Sequence, residues 1–162
     1  MKILLATFFL SFVFLSCKEA TESPNSKTRP KLLLSYPYRY DTLTLYAQYK
    51  ECGEWGGHIE VFKIYKNEKK EMWANYKKDS ANCNGPISRK VIYEKSLKLT
   101  DEDQALIIQY MHDLLDLDFS NDPFFSNAGE YYSAVSSDSS LVISHYTPHF
   151  SGFATLTEKL IR

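Results

Sequence analysis

The chain has 162 residues, of which 19 are Lys or Arg and 20 are Asp or Glu, so its formal net charge at pH 7 is −1. This balance leaves no basic field that would attract nucleic acid and no acidic field that would select a cationic partner. A chain of this length is typical of one domain.

The first predicted element is a secretory leader. Lys2 precedes an apolar run from Ile3 to Leu15 that only Thr7 and Ser11 interrupt. As a helix, a run of about thirteen residues spans roughly 20 Å, which is short of the ~30 Å hydrocarbon core of a bilayer. The run therefore indicates a signal peptide rather than a membrane-spanning helix.

Cys17 directly follows Leu15 and Ser16 at the end of the apolar run, and Lys18 and Glu19 come next. This pattern resembles the leaders of bacterial lipoproteins, in particular those of the Bacteroidota. The resemblance implies that signal peptidase II removes residues 1–16. It also implies that Cys17 is lipidated, with palmitate among its acyl chains. Such a lipid anchors a protein stably to a membrane. The implied location is the bacterial cell envelope, as an outer-membrane lipoprotein that faces the periplasm or the cell surface.

The alternative is an ordinary cleaved leader in which Cys17 has no special role. Residues 17–31 are polar, contain Pro24 and Pro30 and lack an apolar period, which predicts a flexible tether. Residues 32–162 then form a single domain, in which we recognise no known domain family.

The first half of this domain has the composition of β-strands. Apolar and polar residues alternate from Thr42 to Tyr49, which predicts a strand with one core face. Residues 59–65 and 72–76 predict a hairpin around a charged turn. The apolar phase of the first of these strands changes between Val61 and Phe62, which favours a bulge or burial on both faces.

Residues 89–99 predict a further strand, with its apolar side chains on one side: Val91, Tyr93, Leu97 and Leu99. Thr100 then predicts a helix cap, since three acidic residues and apolar residues at helical spacing follow it. Residues 131–135 and 141–146 predict a second hairpin, and residues 152–162 a short closing helix. The fold class is therefore α+β: an antiparallel sheet of about five to six strands, packed by one long helix and a short C-terminal helix.

Cys52 and Cys83 remain once Cys17 is assigned to lipid, and export would place them where disulfides persist. We therefore expect a Cys52–Cys83 disulfide. The alternative is a zinc site shared with His58, but the chain has no Cys-x-x-Cys pair to support it.

The segment from Glu51 to His58 combines three glycines with candidate binding residues Glu54, Trp55 and His58. An exposed tryptophan on such a loop is typical of a recognition tip. The alternative is that the glycines shape a tight entry into the next strand and that Trp55 covers the disulfide.

Tyr36, Tyr38 and Tyr40 alternate, so they point to one side of an extended segment. Such a row can bind a sugar or a peptide through its rings and hydroxyls. It is equally compatible with the amphipathic face of an edge strand.

Two further clusters are candidate metal sites. The acidic segment from Asp113 to Asp122 partly matches a calcium loop, but Asn121 stands at the glycine position and Asn127 at the bidentate glutamate position. His145 and His149 lie on one side of an extended strand, with no nearby ligand fixed by sequence. We therefore predict no metal, no cofactor and no catalytic residue.

Two functions of different classes follow. The first is a membrane-anchored, monomeric, non-catalytic binding module for an envelope protein or glycan. The second is an envelope hydrolase or metal-dependent enzyme, which would use some of the following residues: His58, His145, His149, Glu54, Asp116 and Asp118. A third reading, ligand capture, would require an apolar cavity lined by aromatic side chains.

Overall fold

A computed structural model of the chain describes residues 41–53, 57–81, 83, 89–119, 129–147 and 150–162, with the backbone alone at 118 and 119. It confirms the predicted α+β class. The elements in chain order are β1 Thr42–Gln48, β2 Ile59–Lys66, β3 Met72–Asp79, β4 Val91–Lys98, α1 Asp101–Phe119, β5 Glu130–Ser136, β6 Val142–Thr147 and α2 Gly152–Leu160.

The sheet is antiparallel, with the strand order β4-β3-β2-β1-β5-β6. β1 lies inside it and pairs with β2 on one edge and with β5 on the other. Leu43, Leu45 and Ala47 of β1 are 0% exposed, as their alternation with polar residues predicts. The second hairpin therefore joins the sheet through β1 rather than through the strand that precedes it in the sequence.

Both helices cover the same face of the sheet. The Phe153 ring of α2 lies 5.7 Å from the Phe62 ring of β2, whereas α1 contacts β5, β6 and α2. α1 begins at the predicted cap, because the Thr100 hydroxyl accepts the Asp103 N–H at 3.2 Å and the Asp103 carboxylate accepts the Thr100 N–H at 2.9 Å. Its buried apolar residues are Ile107, Ile108, Tyr110 and Leu114.

Val91 and Tyr93, which the sequence pattern places on one side with Leu99, are not buried with it: they are 57% and 43% exposed, and Ile92 is 60% exposed, whereas Leu99 is 4% exposed. The pairing register shifts between Lys78 and Asp79 of β3, so Ile92 is an extra residue in the bulged edge strand. β4 is an edge strand, so it has a neighbouring strand, β3, on one side only. The side chains at this end of β4 are therefore left exposed.

The predicted leader, Cys17, the tether and the three alternating tyrosines Tyr36, Tyr38 and Tyr40 lie outside the described residues. Among the residues that are described, neither helix has the length and apolar composition needed to cross a membrane.

Phe62→Ala should lower the free energy of unfolding by about 3–5 kcal/mol, because Phe62 is 0% exposed and packs against Tyr76 and Phe153. Lys63→Ala on the exposed face of the same strand is the matched control and should change it by less than about 0.5 kcal/mol. Urea unfolding measures both values, and equal losses for the two variants would contradict this assignment of the core.

Candidate functional site: the closed loop beside the disulfide

The candidate site is the loop that joins β1 to β2, which we call the Tyr49–His58 loop. Its two ends are joined, since the Tyr49 N–H donates to the His58 carbonyl at 3.1 Å. Within it the Gly53 N–H donates to the Lys50 carbonyl at 2.9 Å, and Gly53 has a φ of 60°, a conformation that glycine adopts without strain. Glu54, Trp55 and Gly56 lie outside the described residues.

The predicted Cys52–Cys83 disulfide is confirmed. It closes a sequence separation of 31 residues and ties the loop to the segment that follows β3. In the chain-entropy model a closure of this length stabilises the domain by roughly 3–4 kcal/mol. It also removes the zinc alternative, because zinc binds thiolates and these two sulfurs are bonded to each other.

The Glu51 carboxylate closes the loop from inside. The His58 N–H donates to Glu51 Oε2 at 3.0 Å, and Glu51 Oε1 contacts His58 Nδ1. Gly57 is buried beneath it: a Cβ there would overlap the Glu51 carboxylate and lie 2.8 Å from the Glu51 backbone nitrogen. A glycine is therefore required at position 57 for close approach of the backbone, in agreement with a tight entry into β2.

His58 is held on both of its ring nitrogens. Nδ1 faces Glu51, and Nε2 lies 3.0 Å from Glu60 Oε1. The ring also stacks on Tyr49, with centroids 4.2 Å apart and planes 11° apart, and its side chain is only 15% exposed. Both nitrogens are thus occupied, and His58 presents none that is free to coordinate a metal or to accept a substrate proton.

Glu60 connects the loop to the sheet and to α2. Its side chain is 6% exposed, and it accepts hydrogen bonds from Lys78 Nζ at 2.8 Å and from Thr157 Oγ1 at 3.3 Å. Burial by itself would raise the pKa of Glu60, but hydrogen bonds from Lys78, Tyr76 and His58 and the Lys78 charge outweigh it and lower that pKa. Glu60 is therefore a buried carboxylate that stays ionised.

Buried and half-buried tyrosines lie beside these carboxylates. Burial, reinforced by neighbouring glutamates, raises the pKa of Tyr49, Tyr76 and Tyr132 above the ordinary value, and the Tyr132 hydroxyl donates to Glu130 at 2.6 Å. These phenols are neutral in the physiological range, so they supply hydrogen bonds and ring contacts rather than a base.

The inward position of Glu60 also explains the phase change in the β2 sequence. β2 pairs with both neighbours in an unbroken register, and Glu60, Phe62 and Ile64 all face the helices. The apparent slip at Val61 and Phe62 is thus not a bulge, and Val61, which faces the opposite side of the sheet, is half-buried. Instead, the polar residue Glu60 occupies a position that faces the core. Its spacing of two residues from Phe62 is the sequence feature that could have revealed this part of the site.

The structure does not bring the other predicted site residues to this loop as one group. His145 lies on β6, paired with Tyr132 of β5, and Asp116 is exposed on α1. His149 and the Asp118 side chain are outside the described part. Within that part, no group of three or more His, Cys, Asp and Glu side chains has the arrangement of a metal site.

Comparison with known proteins adds no relative: no protein-family model matches the chain, and a search of curated proteins finds no match.

Glu60→Gln should lower the free energy of unfolding at pH 7 by about 1–3 kcal/mol, because a neutral amide leaves the Lys78 charge without its buried partner. The native carboxylate has a lowered pKa, so its contribution is complete above the ordinary Glu value of about 4.3 and is lost as the pH falls through the folded-state pKa. The difference in the free energy of unfolding between the wild type and Glu60→Gln should therefore become smaller as the pH is lowered.

Urea unfolding from pH 7 to pH 3 measures this difference. Glu68→Gln, in the exposed turn between β2 and β3, reports the background change for an equivalent substitution. If the wild type were more stable than Glu60→Gln by the same free energy at every pH from 7 to 3, the role given to the Glu60 charge would be contradicted.

Proposed function

We propose that the protein is a cell-envelope lipoprotein, anchored through a lipidated Cys17, whose α+β domain is a non-catalytic binding module. The leader pattern supports the anchor, and the Cys52–Cys83 disulfide is compatible with an exported protein. The polar residues 17–31 would serve as the tether between lipid and domain.

The observation that carries the binding proposal is the closed base of the Tyr49–His58 loop. The backbone bond between Tyr49 and His58 joins the two ends of the loop, the Glu51 contacts brace it from inside, and the disulfide ties it to the segment that follows β3. A loop whose base is already ordered loses less conformational entropy when it binds. The ordered base supports the proposal that this loop, whose sequence includes Glu54 and Trp55, contacts an envelope protein.

The contacts of His58 favour this proposal over the hydrolase alternative. A general base needs a free nitrogen within hydrogen-bond reach of the substrate proton, whereas both nitrogens of His58 face glutamates. His145 and Asp116 lie on other elements and supply no orienting partner for His58.

Cys17→Ser should abolish incorporation of labelled palmitate and release the protein from the membrane fraction, because serine has no thiol for the lipid. The measurement is palmitate labelling with fractionation of cells that produce the wild type or the variant. Cys52→Ser is the control for the loss of a cysteine as such and should keep the label. Membrane retention of an unlabelled Cys17→Ser protein would refute the anchor.

A photo-cross-linking residue in place of Glu54 should capture a discrete envelope protein in living cells, because the proposal places this position at the contact. The same residue in place of Glu68, which lies at the opposite end of the β2 strand, is the matched control. Trp55→Ala should abolish the adduct while the variant unfolds at the same urea concentration as the wild type. The absence of an adduct at position 54, or the same adduct at both positions, would refute the loop as the binding surface.

A further inference from the structure

The face of the sheet opposite the helices carries three neighbouring tyrosines, which we call the tyrosine platform: Tyr46, Tyr131 and Tyr146. They lie on the adjacent strands β1, β5 and β6. Tyr131 is paired with Tyr146 on one side and with Gln48 on the other, so Tyr46 lies two residues away from a direct pairing with Tyr131. Each tyrosine alternates with residues that face the helices, and all three therefore face away from α1 and α2.

The rings of the platform form one continuous surface. The ring centroids of Tyr46 and Tyr131 lie 5.8 Å apart, and those of Tyr131 and Tyr146 lie 4.7 Å apart. Tyr46 and Tyr131 are half-buried, whereas Tyr146 on the edge strand is 50% exposed. Since neighbouring strands are about 4.8 Å apart, the platform extends roughly 10 Å across the sheet.

Polar contacts hold the platform in place. The Tyr46 hydroxyl donates to Gln48 Oε1 at 3.0 Å. Ser133 is paired with Tyr46 and with Ser144, and it is only 5% exposed, so the larger side chains around it cover it. The rings are thus ordered before a ligand arrives, which lowers the entropy cost of binding.

This half of the sheet face is also uncharged. The outward residues of the three described strands β1, β5 and β6 are all hydroxyl-bearing, amide or apolar: Thr42, Thr44, Tyr46, Gln48, Tyr131, Ser133, Val135, Val142, Ser144 and Tyr146. By contrast, Lys63, Lys77 and Glu94 face outward from β2, β3 and β4.

Arg89 is the charged residue that borders the platform, beside the Tyr46 hydroxyl. Burial raises the pKa of Tyr46, although the Arg89 charge opposes that rise, so this phenol is neutral in the physiological range. The platform therefore offers neutral aromatic rings with hydroxyl and amide groups beside them.

The chemistry of an uncharged sugar matches this surface. The C–H bonds of a sugar ring form an apolar face that packs on aromatic rings, and its hydroxyls both donate and accept hydrogen bonds. A charged ligand would lose water here without gaining an opposite charge. A protein partner is oriented by complementary charge, which this half of the face lacks.

We propose that the tyrosine platform binds a neutral glycan chain, whose sugar rings stack on Tyr131 and Tyr146 and whose hydroxyls hydrogen bond to Gln48 and Ser144. The rings select an apolar sugar face, and the lack of charge selects against acidic and basic glycans. The site uses no residue of the Tyr49–His58 loop and does not depend on Cys17.

The test titrates two uncharged glucan probes, maltohexaose and cellohexaose, into the full-length protein in a detergent that contains no sugar. Binding is followed by NMR, and at least one probe should bind saturably and shift the amide signals of Tyr131 and Tyr146. Hexaglucosamine has the linkage of cellohexaose but carries ammonium groups at mildly acidic pH. It should bind at least roughly fivefold more weakly than the better glucan, because the platform offers no opposite charge.

Tyr146→Ala removes the most exposed ring and should weaken glucan binding by roughly fivefold or more. Tyr146→Trp keeps an aromatic ring and should retain binding. Tyr93→Ala is the matched control, because Tyr93 is 43% exposed on the other edge strand, β4, and it should leave binding unchanged. Urea unfolding of each variant verifies that the fold is retained.

Saturable binding of neither glucan, unchanged binding by Tyr146→Ala, or equal weakening by Tyr146→Ala and Tyr93→Ala would each overturn the platform proposal. A dimer in sedimentation that Tyr146→Ala dissociates would also overturn it, because a second copy of the chain would then cover the platform. None of these results bears on palmitate labelling at Cys17 or on cross-linking at position 54. Failure of the platform is therefore distinguishable from failure of the proposed function.

Discussion

β1 is hydrogen bonded along both of its edges, and the whole domain is assembled on that double pairing. One edge receives the β2–β3–β4 meander and the other receives β5, which brings β6 with it. Its side chains Leu43, Leu45 and Ala47 form the middle of the core, so the strand carries both the backbone network and the apolar face on which the helices pack. β1 and β5 are far apart in the chain, because the β2–β3–β4 meander and α1 lie between them in sequence.

The polar end of this core depends on β1 as well, because the Tyr49–His58 loop begins where β1 ends. A buried carboxylate is tolerated only when hydrogen bonds and opposite charge replace its water. Glu60 obtains them from three places: His58 in the loop, Lys78 in the neighbouring strand and Thr157 in α2. One ionised group thereby couples the loop, the sheet and the C-terminal helix, and this network keeps the loop base in a single arrangement.

The surface that we propose for binding an envelope protein owes its character to the closure of the loop. The loop is pre-organised by covalent and hydrogen-bond closure, which suits contact with a large partner.

By itself, the sequence determined the α+β class, the alternation of β1, the cap at Thr100 and the two hairpins, because these follow from local periodicity and capping chemistry. It predicted the Cys52–Cys83 disulfide only with the help of the resemblance that assigns Cys17 to lipid. It placed His58 in the candidate site but not Glu51, Glu60 or Lys78, which meet only through strand pairing and loop closure. It could not show that Val91 and Tyr93 are exposed, since alternation tells which residues share a side and not whether another element covers that side. Strand order, the edge position of β4 and the occupied nitrogens of His58 were decided by tertiary structure alone, because each depends on contacts between residues that are distant in the chain or on the folded path of the backbone.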